Sequence, residues 1–176
     1  MADRIYKEFR EISTNPIPNC GITVGLIDEK NFYDWTVTLI GPKDTSYKGG
    51  LFHLNVHFPP DYPNKPPEVF FVTPIYHVNV NPTASNEEGG EALGHVCIST
   101  LNWWKPEYKM KEVLTNIYSL FYMANPDSAY GLGRAKEYKE ERETYEEKAK
   151  YFTQKYARYT KWNKKIDRNQ NWDFNL

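Results

Sequence analysis

The side chain best suited to covalent chemistry in this sequence is the thiol of Cys97, which stands in the apolar run Gly94-His95-Val96-Cys97-Ile98-Ser99. A thiol nucleophile needs a thiolate, access to its substrate, and a hydrogen-bond donor for the oxyanion that forms during attack. The candidate donor is Asn79, which ends the upstream segment Ile75-Tyr76-His77-Val78-Asn79. The pattern therefore predicts thiol-based group transfer, with Cys97 as the nucleophile and Asn79 as its support.

A cysteine hydrolase or acyltransferase would pair the thiol with a general base, and His95 lies only two residues from Cys97. Extended chain would place both side chains on one side of the backbone. Because no carboxylate that could orient the imidazole is evident in the sequence, His95 is interpreted as structural or solvent-facing. Cys20 is interpreted as a small packing residue. No Cys/His cluster has the spacing of a zinc site, so no metal is expected.

Length and composition favour a single globular domain that binds neither nucleic acid nor membranes. The 176 residues are 40% hydrophobic and 26% charged, and their net charge of -1 gives no overall attraction to polyanions. No apolar run approaches the length of about 20 residues that spans a bilayer. The N-terminus also lacks the apolar centre of a signal peptide. We therefore expect a monomeric protein of the cytoplasm or nucleus.

The elements that must position these residues begin with a helix and a sheet. Ile5, Phe9 and Ile12 fall on one face of a helix predicted over residues 2–15. Strands are predicted over 22–27, 32–40, 51–58 and 68–72, and their short connections favour an antiparallel meander. The third strand alternates most clearly, which predicts that His53 and His57 face outward. The proline-rich stretch 59–67 is predicted to be a rigid loop.

The second half of the chain is predicted to be irregular around the cysteine and helical after it. Residues 73–106 are expected to be mostly loop, including an acidic stretch at 82–93. Helices are expected over 110–123, 132–138 and 139–156. The fold class is therefore α+β, in the order N-terminal helix, four-stranded antiparallel meander, active-site loop and C-terminal helices. We expect one domain over residues 1–157 and a C-terminal extension over 158–176.

Six motifs, in this order, resemble those of the ubiquitin-conjugating enzymes. They are Tyr62-Pro63 with Lys65-Pro66-Pro67, Tyr76-His77-Val78-Asn79, Gly94-His95-Val96-Cys97-Ile98, Trp104-Lys105-Pro106, Asn125-Pro126, and Phe152-Thr153-Gln154-Lys155-Tyr156-Ala157. The resemblance runs over residues 2–157. It implies that Cys97 accepts ubiquitin as a thioester from an activating enzyme. Cys97 would then pass ubiquitin to a substrate lysine or to the cysteine of a ubiquitin ligase.

The same resemblance implies roles for further residues. Asn79 would donate to the oxyanion or hold the loop that positions it, and Tyr76 and His77 would support this motif. Asp127 and Ser128, which follow Asn125-Pro126, would orient the incoming lysine. Ligases would contact the first helix, the proline-rich loop and the Trp-x-Pro corner, whose residues here are Arg4, Lys7, Asn64, Lys105 and Pro106. No bound cofactor is implied, since ATP is used upstream by the activating enzyme.

Three departures from the family pattern are visible. Val78 replaces the family's proline and restores a backbone N–H, so the turn that holds Asn79 is expected to be either looser or bonded differently. The interval from Asn79 to Cys97 is longer than usual, with 82–93 as the insertion; its acidic residues Glu87, Glu88 and Glu91 would attract a basic acceptor site. Ser128 stands where many members carry an acidic residue.

These departures leave alternatives to an active ubiquitin-conjugating enzyme. The chain could be a non-catalytic binding partner with the same fold, or a conjugating enzyme for another ubiquitin-like modifier. Ubiquitin is expected by elimination, because the chain begins at its first helix without the extension of enzymes that handle the NEDD-type modifier. It also lacks features associated with the SUMO enzyme.

Overall fold

The computed structural model describes residues 2–83, 93–158 and 172. Helix α1 spans Ala2–Thr14, as its periodicity predicts. Ile5 and Ile12 are buried, and the ring of Phe9 meets that of Trp35 edge-on at 5.3 Å between centroids. The helix ends just before Asn15-Pro16, because a residue that precedes proline disfavours helical backbone angles. Helix α1 is thereby fixed against the sheet that follows it.

The sheet is the predicted antiparallel meander. Its strands are β1 (Ile22–Asp28), β2 (Asn31–Ile40), β3 (Leu51–His57) and β4 (Glu68–Phe71), in the spatial order β1-β2-β3-β4. Alternate residues of β2 and β3 are fully buried, and Val37 of β2 lies opposite Leu54 of β3. One face of the sheet therefore forms the core, as period-two alternation requires.

The expected outward position of His53 is wrong, because His53 is only 9% exposed. Its Nδ1 lies 3.0 Å from the hydroxyl of Thr38 on β2, and its backbone N–H donates to the hydroxyl of Thr73 at 2.9 Å. Alternation assigns His53 to the second face of the sheet but does not reveal that neighbouring chain covers it there. His57 is half-exposed, and its Nδ1 lies 2.6 Å from a carboxylate oxygen of Asp34.

The segment that carries Cys97 is mostly loop, as expected, but one short pairing joins it to the preceding loop and another joins it to β4. Val80 bridges to Val96 and Phe70 bridges to His95, both antiparallel. Gly94 has a φ of +78°, and a Cβ atom there would lie 2.1 Å from the carbonyl oxygen of Phe71. Glycine is thus the residue that permits this close approach of the loop to β4.

Helices complete the fold after the loop. A four-residue helix not expected from the sequence, α2 (Ser99–Asn102), directly follows the cysteine segment. Helices α3 (Met110–Ser119), α4 (Leu132–Glu140) and α5 (Arg142–Tyr156) confirm the predicted helices, although α3 ends four residues early in a series of turns. A 3₁₀ turn, Pro126–Ser128, lies between α3 and α4.

Two expectations concern parts of the chain that fall largely outside the described residues. They are the acidic insertion, with Glu87, Glu88 and Glu91, and the C-terminal extension with its boundary at residue 157. Both stay predictions. Among the helices that are described, none combines the length and apolar character needed to cross a membrane.

Candidate active site

Cys97 and Asn79, which are 18 positions apart in sequence, meet through the backbone. The N–H of Cys97 donates to the carbonyl oxygen of Asn79 at 2.9 Å, and the N–H of Asn81 donates to the carbonyl of His95 at 2.9 Å. These bonds extend the Val80–Val96 bridge into a short two-stranded contact. Cys97 remains partly exposed at its edge, and the thiol is free. The two residues that the sequence pairs chemically are therefore adjacent in space.

The side chain of Asn79 is fully buried and fully hydrogen-bonded. Its Nδ2 donates to the carbonyl oxygens of Asn125 and Ser128 at 2.7 and 2.8 Å, and its Oδ1 accepts the N–H of Asn125 at 2.8 Å. A primary amide has two N–H donors, and both are used here. Of the two predicted roles, this geometry corresponds to holding the 125–128 loop, since donation to an oxyanion requires one of these bonds to break.

His77 ties the same motif to the end of α3. Its Nδ1 accepts the N–H of Asn79 at 3.0 Å, while its Nε2 lies 3.1 Å from the carbonyl oxygen of Leu120. Because Nδ1 accepts, the ring hydrogen sits on Nε2 and donates to Leu120. Burial lowers the pKa of His77 to about 4, so the neutral ring persists at physiological pH. His77 thus has the structural support role expected for it, and no contact with the thiol is seen among the described residues.

The structure shows how the chain accommodates Val78. The N–H that valine restores donates to the hydroxyl of Tyr145 on α5 at 3.1 Å. That hydroxyl lies 3.3 Å from the hydroxyl of Tyr47, which in turn donates to the carbonyl of Tyr76 at 2.9 Å. Burial raises the pKa of Tyr145 to about 12, which keeps its hydroxyl protonated. The N–H that valine adds to the turn is therefore satisfied inside the protein.

Tyr76 connects the motif to the last two helices. Its ring stacks on Phe152 of α5 at 5.6 Å between centroids, and its hydroxyl donates to Glu137 of α4 at 2.6 Å. Burial raises the pKa of Tyr76. The guanidinium of Arg134 also lies over the Tyr76 ring, at 4.4 Å from its centre. Tyr76 is therefore a packing and hydrogen-bonding anchor for the active-site loop.

Asp127 and Ser128 lie in the loop that Asn79 holds. The exposed carboxylate of Asp127 pairs with Lys139 on α4 at 2.9 Å. Ser128 contributes its carbonyl to Asn79, and its hydroxyl accepts from Asn125 at 3.3 Å. The described contacts link Ser128 to Asn79, and Asp127 to Asn125 and Lys139, rather than either residue directly to Cys97. Their predicted part in orienting a lysine stays a prediction.

Sequence reasoning did not identify two residues near the thiol. Asn102, the last residue of α2, donates from Nδ2 to the sulfur of Cys97 at 3.2 Å. Tyr130 follows the 3₁₀ turn; its N–H donates to the carbonyl of Val78 at 2.8 Å, and its hydroxyl lies 2.6 Å from Nδ1 of His95. A helix of four residues gives no periodic signal, so the return of Asn102 to the thiol could not be read from the sequence.

Cys20 fits its interpretation as a packing residue. It is partly buried against the hydrophobic core, and its thiol is free. Burial raises the pKa of the Cys20 thiol, which disfavours the reactive thiolate. The two cysteines therefore differ in their surroundings, and Cys97 is the one with a hydrogen-bond donor at its sulfur.

The three predicted ligase-docking segments are brought together by a network centred on the buried carboxylate of Glu8. Glu8 accepts from Arg4 at 2.7 Å, from the hydroxyl of Tyr62 at 2.9 Å and from the N–H of Met110 at 2.7 Å. Trp104 donates to the carbonyl of Pro63 at 2.6 Å, which joins the Trp-x-Pro corner to the proline-rich loop.

The docking candidates themselves differ in exposure. Lys7, Asn64, Lys105 and Pro106 are exposed. The guanidinium of Arg4 is largely engaged within the protein, because it donates to Glu8 and also to the carbonyl of Tyr108 at 2.8 Å. Four of the five candidates are therefore accessible, whereas Arg4 mainly makes contacts within the protein. Their part in ligase docking stays a prediction.

The comparison with protein families gives one result. The model that describes the ubiquitin-conjugating enzyme family matches residues 4–153, which is 150 of the 176 residues. The matched span includes Cys97, Asn79, the loop at 125–128 and the three segments joined through Glu8.

Proposed function

The chain belongs to the ubiquitin-conjugating enzyme family, and from this premise we propose that it is an active conjugating enzyme. Cys97 accepts the C-terminus of ubiquitin as a thioester from a ubiquitin-activating enzyme. It then passes ubiquitin to a substrate lysine or to the cysteine of a ligase. Family membership supports a conjugating-type transferase in general; the thioester on Cys97 and ubiquitin as the modifier are the proposal.

The chemistry proceeds in two acyl transfers. In the first, the Cys97 thiolate attacks the thioester carbonyl on the activating enzyme, a new C–S bond forms, and the activating enzyme's thiolate leaves. In the second, a neutral lysine amine attacks the carbonyl, the C–N bond forms, and the electrons of the C–S bond return to Cys97. A thioester is already activated, so these steps need neither a metal nor a strong base. ATP is consumed upstream by the activating enzyme.

The lysine must lose a proton before or during attack. Its ordinary pKa of about 10.4 leaves it protonated at neutral pH. Desolvation beside the loop and a nearby acceptor would lower that pKa. Asp127 is the exposed carboxylate of the loop, and it is occupied by Lys139. We propose that an incoming lysine displaces Lys139 from this carboxylate, while Ser128 sets the backbone of the loop through its bond to Asn79.

The observation that carries the proposal is the junction between Cys97 and Asn79. The thiol of Cys97 is free and partly exposed. The backbone N–H of Cys97 donates at 2.9 Å to the carbonyl oxygen of Asn79, whose buried side chain anchors the 125–128 loop. Cys97 is partly exposed, and a nucleophile that solvent can reach suits a protein substrate better than it suits an enclosed small molecule.

The proposal includes the partners that such an enzyme needs. Ubiquitin, its activating enzyme and ubiquitin ligases are the proposed partners, and ligases are placed on the face formed by Lys7, Asn64, Lys105 and Pro106, with Arg4 beneath it. The protein is proposed to act as a monomer in the cytoplasm or nucleus.

A charging reaction tests the proposal directly. The protein is incubated with ubiquitin, activating enzyme and ATP, and the products are separated on a non-reducing gel beside the Cys97→Ala variant. We expect an adduct that reductant removes and that Cys97→Ala does not form; Cys20→Ala, the matched control, should form it normally. Absence of the adduct would contradict the proposal. Repeating the reaction with other modifiers and their own activating enzymes would then separate a different modifier from a non-catalytic module.

A further inference from the structure

The sulfur of Cys97 has a hydrogen-bond donor, and that donor is not Asn79. Both N–H bonds of the Asn79 amide are taken by carbonyl oxygens of the 125–128 loop. Within the part of the chain that the structure describes, the side chain that donates to Sγ is that of Asn102, whose Nδ2 lies 3.2 Å away. The two asparagines therefore make different contacts: Asn79 holds the 125–128 loop, and Asn102 donates to the sulfur of Cys97.

The position of Asn102 is set by α2. The N–H of Asn102 donates to the carbonyl of Ile98 at 3.0 Å, so this turn folds the chain back toward Cys97. Thr100 and Leu101 are buried, and the amide of Asn116 on α3 donates to the hydroxyl of Thr100 at 2.6 Å. The side chain of Asn102 is exposed, but the backbone that carries it is anchored to the body of the protein.

An amide N–H that points at sulfur acts on the charge of the sulfur. A hydrogen bond to an ionised acceptor is stronger than one to a neutral acceptor, and neutral thiol sulfur accepts only weakly. The donor therefore favours the thiolate over the thiol. It also favours any transition state in which negative charge grows on sulfur.

We propose that Asn102 is a catalytic residue that donates to Cys97 Sγ in both acyl transfers. During charging it stabilises the thiolate that attacks. During discharge, the lysine nitrogen bonds to the carbonyl carbon, the C–S bond breaks, its electron pair moves to Sγ, and the nitrogen's surplus proton leaves to solvent. Asn102 stabilises the departing thiolate in that step. This inference deepens the proposed function and rests on it for the acyl transfers.

Alkylation of the thiol tests the donor without ubiquitin. The full chain carrying Cys20→Ser is treated with iodoacetamide over a range of pH, in the presence and absence of Asn102→Leu, which keeps the shape of the side chain and removes the donor. We expect about twofold to thirteenfold slower alkylation at pH 7 for Asn102→Leu, the factor that a net hydrogen bond of about 0.5–1.5 kcal/mol gives. Asn102→Asp should be slower still, because its carboxylate repels the thiolate.

Two features of the rates separate a donor role from mere disturbance of the loop. The rates of Asn102→Leu and the parent protein should converge at high pH, where both thiols are ionised. Asn15→Leu, the same change at an exposed asparagine beyond α1, should keep the parent profile at every pH. An unchanged profile in Asn102→Leu would overturn the inference whether or not the protein can be charged.

Discharge of a preformed thioester tests the second half of the inference. With free lysine as the acceptor, Asn102→Leu should lower the maximal discharge rate by a similar factor and leave the lysine concentration at half-maximal rate unchanged. A normal discharge rate, together with slower alkylation, would refute the stabilisation of the leaving thiolate. If the parent protein forms no thioester, the proposed function fails, and the alkylation result still decides whether Asn102 donates to Sγ.

Discussion

Two roles are predicted for Asn79, donating to the oxyanion and holding the neighbouring loop, and substitution of this residue can separate them. Hydrogen bonds between its side-chain amide and the backbone of Asn125 and Ser128 hold the loop beside the thiol, and we call this its clasp role. We expect Asn79→Ala to remain able to form the thioester, because Cys97 bonds to the backbone of Asn79 and not to its side chain. The free energy of unfolding, measured by urea titration, should fall by about 1–3 kcal/mol, since buried partners lose their hydrogen bonds.

The discharge rate of Asn79→Ala completes this test. A clasp role predicts slower discharge together with lower stability, because the loop that receives the lysine is released. A direct oxyanion donor that has no such structural role predicts a loss on the order of a hundredfold in rate with stability unchanged. Finding the second pattern would show that the hydrogen bonds to the loop are dispensable and that the amide turns to the oxyanion during reaction.

At the scale of elements, the hydrogen bond between α5 and the active-site loop explains how Val78 is tolerated. Tyr145→Phe removes the acceptor of the Val78 N–H and leaves a buried donor unpaired. We expect a loss of about 1–3 kcal/mol in the free energy of unfolding. In a Val78→Pro background the donor is absent, so the same tyrosine change should cost about 1 kcal/mol less, as a double-mutant cycle would measure.

The matched control for this cycle is Tyr151→Phe, a hydroxyl deletion at an exposed tyrosine of the same helix, which should cost little in either background. Purely additive losses for Val78→Pro and Tyr145→Phe would mean that the N–H finds another partner, and the explanation of the tolerated valine would be wrong.

The same scale shows what the sequence could and could not predict. Long periodic segments, such as α1 and β3, were predictable because burial on one face leaves a repeating pattern. Four residues of α2 leave none, so the donor at Asn102 was hidden. The acceptor for Val78 lies 67 positions away on α5. Only the folded chain brings these groups together, although the sequence did show that valine at position 78 restores a backbone N–H.

At the scale of the molecule, the loop at the candidate active site and the proposed docking face are held by different buried polar groups. Glu8 joins α1, the proline-rich loop and the start of α3, whereas His77 and Asn79 join the thiol segment to the turns after α3. Helix α3 lies between the two networks and is common to both. Helix α3 is therefore one connection between the thiol and the docking face, alongside α2, which leads from the thiol segment to the Trp-x-Pro corner.

His77 makes the stability of the whole molecule depend on pH. Its pKa is about 4 in the folded protein and about 6.5 in an unfolded chain. Between these values the unfolded state binds more protons than the folded state, so the free energy of unfolding rises with pH through this window. The stabilising contribution of the neutral His77 is fully present above pH 6.5 and is lost as pH falls from 6.5 to 4. The difference of about 2.5 pKa units corresponds to about 3 kcal/mol in total. Urea titrations of the parent protein and His77→Gln at several pH values measure this contribution.

The glutamine variant keeps a side chain that can donate and accept but does not titrate. At pH 7.5 it should be less stable than the parent protein, because its geometry at Asn79 and Leu120 is poorer. As pH falls toward 4, the stability difference should shrink by about 3 kcal/mol, since only the parent loses the histidine contribution. Contributions from groups that the substitution leaves unchanged cancel in this difference. A difference that stayed constant from pH 7.5 to 4 would mean that His77 is not held neutral in the folded state, and the hydrogen bond that its Nδ1 accepts from the N–H of Asn79 would have to be reassigned.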